Sequence, residues 1–227
     1  MDPILAWREA HSRVVGLLTG LDPRRAGTVV PACPDWTVRD LLSHMVGLAA
    51  DVLDGDEPDD HNEQWTKAQV EARRDRSVAE LLAEWGELVE DLVAWMGENG
   101  SRPLNDVVIH EQDLRGALDQ PGARDSDGLR VVRDRLAGRL ADAAADLPPL
   151  LLVEARGAGG DPWTFVTRGS ADDAACVVSA DGFELFRALT SRRTEDQLRA
   201  MVVHGDVSPY LPAFAGLGSL PDETLPE

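Results

Sequence analysis

The sequence predicts a mainly α-helical protein, with a helical bundle over residues 1–148 and a small α+β domain over residues 149–227. Three observations carry this. Apolar residues recur at helical spacing through the first two thirds of the chain. The connections between those stretches are short, which makes antiparallel packing of neighbouring helices the default. After Pro148 and Pro149 the texture changes to short apolar runs separated by turn residues.

The first helical stretch spans about Pro3 to Leu18, with Ile4, Leu5, Val14, Val15 and Leu18 apolar, and Gly20, Asp22 and Pro23 end it. A loop with Pro31 and Pro34 follows. Thr37 and Asp40 then make a capping pair, since a threonine N-cap and an acid three residues on satisfy the free backbone amides of a helix start. Trp36 before the cap is placed to staple against Leu41. Val38, Leu41, Leu42, Met45, Val46, Ala49 and Val52 supply an apolar face, and the acidic run beyond Gly55 to Asp60 breaks the pattern. His61 to Arg76 reads as polar, a short helix on the surface. Ser77 and Glu80 open another helix, carrying Leu81, Leu82, Trp85, Leu88, Val89, Leu92 and Met96, that stops near Gly97 and Gly100. Pro103 suits the first turn of a fourth long helix reaching Leu118. A fifth begins near Ser126 and carries Leu129, Val132, Leu136 and Leu140. Beyond it, Leu150 to Ala155, Trp163 to Thr167 and Ala174 to Ser179 read as strands, with turns at Gly157 to Asp161 and Arg168 to Asp173. Helical pieces follow at Asp181 to Leu189 and Thr194 to Val202, and a tail rich in Pro and Gly from Ser208 is expected to lie over the surface.

Composition narrows the function. The formal net charge is −19, so the chain repels phosphate backbones and anionic lipid surfaces, which disfavours nucleic-acid and membrane partners. Only Cys33 and Cys176 are present, which argues against a disulfide framework and for a reducing compartment. No signal-peptide pattern and no span of about 20 apolar residues is seen, so a cytoplasmic protein is expected. A monomer is the expected state.

The fourth long helix holds the informative residues. Asp106 and His110 are four apart and project from one helical face, which Asp113 continues beside Val107 and Leu114. A polar stripe next to an apolar seam is costly unless its members have partners. His44, between Leu41 and Leu48 on a helix otherwise committed to packing, is the natural third member. Two imidazoles and one carboxylate make a three-ligand zinc site with an open fourth position, although nickel or iron accept similar donors. A D-x-x-x-H pair also arises by chance, and a lone helical histidine is usually exposed or satisfied by its neighbours. Cys33, beside two prolines with no evident base, ranks lower as a nucleophile. His11 and His61 read as surface residues, and His204 as part of a turn.

The run Cys33 to Gly47, with Pro34, Trp36, Thr37, Asp40 and His44, resembles the N-terminal signature of the mycothiol-dependent maleylpyruvate isomerase family. Asp106 to Leu118 resembles its second signature. Phe183 to Arg193, with Gln197 and Gly205-Asp206, is similar to its C-terminal domain. This resemblance implies a DinB-like up-and-down four-helix bundle with an additional helix. It implies zinc held by His44, Asp106 and His110, with Asp106 standing where the isomerase has Glu. It also implies mycothiol, a low-molecular-weight thiol of actinobacteria, as thiol cosubstrate, and a small-molecule electrophile as its partner. The outcome would be cis–trans isomerisation or S-transfer. Within it, Asp113 is expected to orient His110 or a water, and Arg187 to meet a substrate carboxylate. Two other readings stand beside this one: a non-catalytic metal- or small-ligand-binding protein on the same bundle, and a metal-free scaffold whose three polar residues bond to one another.

Overall fold

The computed structural model describes residues 1–58, 62–155 and 163–227; His61 and the turn expected at Gly157 to Asp161 lie outside them. The chain divides into two compact units, Met1–Gly122 with Pro226–Glu227, and Ala123–Leu225. The division falls after Gly122 rather than near residue 148, because the helix that opens at Ser126 packs on elements of the second unit.

In the first unit α1 (Pro3–Leu18) starts where the Asp2 carboxylate accepts from the Ile4 and Leu5 amides. A short α2 (Pro23–Ala26) leads to two strands, β1 (Val29–Val30) and β2 (Cys33–Thr37), paired antiparallel with Val30 opposite Cys33. The expected loop is therefore a small ribbon. Pro34 is tolerated because a two-stranded ribbon leaves edge positions where a missing N–H costs no ladder bond. The ribbon delivers Cys33 and Trp36 directly to the start of α3 (Val38–Asp54), where Thr37 and Asp40 form the expected capping box, and Gly55 ends the helix at φ 74°.

Helix α4 (Glu63–Ala72) departs from expectation. It packs along α3, and Gln69 is buried. Gly47 makes this possible, because a Cβ there would lie 2.5 Å from Cβ of Gln69. Helix α5 (Val78–Asn99) opens on the Ser77–Glu80 box, and α6 (Pro103–Leu118) matches its predicted span. α3 packs against α5 and α6, and α1 against α6 and α5, so four helices close a ring. Trp7, Val14, Leu41, Met45, Leu81, Trp85, Val107 and Leu114 fill its interior, each such side chain contributing about 1.5–3 kcal/mol by burial. Among the described residues no helix is long and apolar enough to cross a membrane.

In the second unit α7 (Asp127–Ala143) is capped by Ser126 and packs on α8 (Gly182–Leu189). The sheet has the order β4 (Thr164–Val166), β3 (Leu150–Glu154), β5 (Cys176–Ala180), β6 (Val202–His204). β3 and β5 run parallel with Leu150 opposite Cys176, and the outer pairs are antiparallel. β6 is a strand where the sequence predicts a helix end and a turn, following α9 (Glu195–Ala200). It ends at Gly205, whose φ is 76° and where a Cβ would lie 2.0 Å from the Ala175 carbonyl, so only glycine fits. The tail is not merely draped. Tyr210 and Phe214 are buried, α10 (Leu211–Phe214) forms between the tail prolines and glycines, and Tyr210 Oη donates to the Pro148 carbonyl at 2.9 Å.

His11, expected at the surface, is stacked on Trp7 at 5.1 Å between ring centroids and meets the edge of Trp85 at 4.4 Å. Burial, helped by the Arg8 guanidinium, lowers its imidazole to about 4. The unfolded chain takes up this proton near pH ~6.5 whereas the folded one resists it. Stability is therefore full above that value and declines as pH drops from about 6.5 towards 4. Urea midpoints at pH 7 and pH 5 should show a larger loss for the wild type than for His11→Phe; equal losses would exclude His11 as the source.

Candidate metal centre

Two helices build the centre. His44 sits on the inner face of α3 between Leu41 and Leu48, and Asp106, His110 and Asp113 share one face of α6. Because α3 and α6 are neighbours, His44 Nε2 comes within 3.1 Å of Asp106 Oδ1, and His110 Nε2 within 3.4 Å of the same oxygen. The three side chains are 6%, 13% and 12% exposed in chain order, so little water reaches the point on which they converge. One ligand atom from each lies within 4.8 Å of the others.

The outer nitrogens decide what the inner ones can do. His44 Nδ1 is 2.7 Å from Gln69 Oε1, and the amide is fixed because Gln69 Nε2 donates to Asp51 Oδ2 at 2.7 Å. His110 Nδ1 is 3.1 Å from Asp113 Oδ2. An amide oxygen and a carboxylate are acceptors only, so each Nδ1 carries the hydrogen. Each Nε2 then turns a lone pair toward a carboxylate oxygen. Satisfying this arrangement takes either one cation or two added protons, and the latter places two imidazolium rings 5.2 Å apart between centroids. Burial opposes every charge here. Even so, Asp106 holds His110 well above the usual histidine range, with Asp113 and Cys33 adding to the effect, and the two imidazoles hold Asp106 well below the usual carboxylate range. The donor set and its outer bonds are those that orient histidine ligands on metals.

All three residues singled out as ligands are thus brought together, and Asp113 lies where it orients His110. Arg187 belongs to the second unit, where it is buried in α8 near Glu184, whose carboxyl is lowered chiefly by its hydrogen bonds to Arg193, with Arg187 a minor contributor. Cys33, expected to lack a paired base, has its Sγ 4.0 Å from Asp113 Oδ2. Trp36 covers the His44 ring at 5.0 Å between centroids. Sequence reasoning missed Gln69 and Asp51, although a glycine at position 47 inside an apolar helix is a signal of close approach.

The helices bring two imidazoles and a carboxylate to one point, a donor set that could hold a metal ion. Residues 7–108 match the mycothiol maleylpyruvate isomerase N-terminal domain model. A solved structure, that of a histidine-to-alanine mutant of the mycothiol-dependent maleylpyruvate isomerase, shares the fold at a TM-score of 0.57. It is 13% identical, over 88% of this chain and 90% of that one. No curated protein matches the sequence significantly.

Replacing Gln69 by Leu removes the acceptor that fixes His44. Calorimetric titration with Co2+ should show affinity weakened roughly 10–100-fold, with the unfolding midpoint measured alongside; unchanged affinity in a folded variant would leave Gln69 without this role.

Proposed function

We propose that the protein is a zinc-dependent, mycothiol-using enzyme on a DinB-like four-helix bundle, with His44, Asp106 and His110 as the metal ligands. The single observation that supports this best is the convergence of two imidazole Nε2 atoms, at 3.1 Å and 3.4 Å, on one carboxylate oxygen, an arrangement that a divalent cation would satisfy. Two histidines and a carboxylate are a common zinc donor set that leaves a position open. A zinc ion there supplies stabilisation of the thiolate form of a thiol whose pKa is otherwise near ~8.5.

The chain's own residues do the rest. Gln69 and Asp113 hold the two rings with Nε2 inward, and Trp36 and the apolar ring of helices limit water. Mycothiol is the thiol. When bound, it would supply a nucleophilic sulfur for reversible addition to an activated double bond of a small electrophile, the chemistry that cis–trans isomerisation needs. Retention of the adduct gives S-transfer. Arg187, buried in the second unit, is proposed as a carboxylate-binding guanidinium, the role the resemblance implies for it.

Metal analysis of protein purified without a histidine tag should find about one zinc per chain and none in His110→Ala. Calorimetry should then show mycothiol binding to the zinc form only. Unchanged metal content in His110→Ala would remove the site as described, and a zinc form that binds no thiol would favour a ligand-binding protein without turnover.

A further inference from the structure

Cys33 has no part in the reaction proposed above, yet it borders the same histidine from the opposite side. Its Sγ is 4.0 Å from Asp113 Oδ2, which is 3.1 Å from His110 Nδ1. One ligand atom each from Cys33, His110 and Asp113 lies within 4.8 Å of the others. The Asp113 side chain is 0% exposed, whereas Cys33 is only half-buried and can be reached from solvent.

We propose that Cys33, His110 through Nδ1, and Asp113 form a second, sulfur-bearing cation site that takes thiophilic divalent ions and excludes occupancy of the first. A neutral imidazole has a single lone pair, so His110 serves one site at a time. The exchange strands no hydrogen. With Nε2 as ligand, the Nδ1 hydrogen is accepted by Asp113; with Nδ1 as ligand, the hydrogen moves to Nε2 and Asp106 Oδ1, 3.4 Å away, accepts it. On binding, the Cys33 thiol loses its proton to solvent, and thiolate plus carboxylate then neutralise a divalent charge. The sulfur donor biases this site toward soft ions, whereas the two-histidine site has no sulfur. Filling it withdraws a ligand from the first site, and the loss of turnover this implies rests on the function proposed above.

Metal-free full-length protein titrated with Cd2+ should develop a thiolate-to-metal charge-transfer absorption, saturating at one equivalent. Cys33→Ser should abolish it, His110→Ala should abolish it, and His44→Ala should keep it, because that variant lacks only the first site. Cys176 is fully buried, with its thiol pushed up to about 11 by burial, so a band that survives Cys33→Ser would overturn the proposal, as would absence of the band in both wild type and His44→Ala. If Cys33→Ser unfolds, Cys33→Ala read by the same band decides between these outcomes. Failure of zinc to bind at His44 would leave the Cd2+ band in place, so the two readings fail separately.

Discussion

One carboxylate oxygen, Asp106 Oδ1, faces a ring nitrogen from each of two helices, and the first unit is arranged so that this contact forms away from water. Leaving a buried polar atom without a partner costs about 1–3 kcal/mol, and here three such atoms must satisfy one another at one point. The arrangement is tolerable only because every member is fixed from behind. Gln69 and Asp51 hold His44, and Asp113 holds His110.

The separation of the helices is set elsewhere. On another face of α6, Glu111 is 1% exposed and receives Arg13 of α1 at 2.8 Å and Arg115 at 2.9 Å. Breaking a buried pair of this kind is strongly destabilising because it strands a charge, so α1 and α6 are locked in rotation as well as distance. That lock fixes which face of α6 looks at α3. Three residues along α3 from His44, Gly47 admits Gln69 at a distance no larger residue permits. Helix α3 is therefore positioned between a salt-bridged neighbour and a close-packed one, with His44 carried on the part that both constrain.

The legible parts of this design are the local ones. Thr37–Asp40 and Ser77–Glu80 announce helix starts because capping is satisfied within four residues. The spans of α3 and α6 follow from periodicity, and the D-x-x-x-H spacing places two donors on one face. What stays hidden depends on partners distant in sequence. Helix α4 looks like a solvated helix because one buried glutamine among charged neighbours barely alters its pattern. Val202–His204 is a strand because it pairs with β5, a partner more than 20 residues away in sequence. Ser126 marks a helix start correctly but carries no information about which unit the helix joins, and α7 is assigned by its packing on α8. His11 and Cys33 escape a reading of sequence for a related reason: tryptophans at positions 7 and 85, and an aspartate at 113, supply their surroundings.

The shorter acid on α6 follows from the same geometry. The resemblance noted in the sequence puts glutamate where Asp106 stands, and a glutamate carries its carboxylate one methylene further from the helix axis. In this chain the aspartate oxygen already lies 3.1 Å and 3.4 Å from the two Nε2 atoms, separations comparable with those between neighbouring ligands on one small cation. A longer side chain at 106 would have to fold back or push His44 away, and His44 cannot retreat, because Gln69 stands behind its ring at 2.7 Å. The length of the acid and the close approach of α4 at Gly47 are thus two sides of one constraint: the nearer the second helix's imidazole is held, the shorter the carboxylate that can meet it.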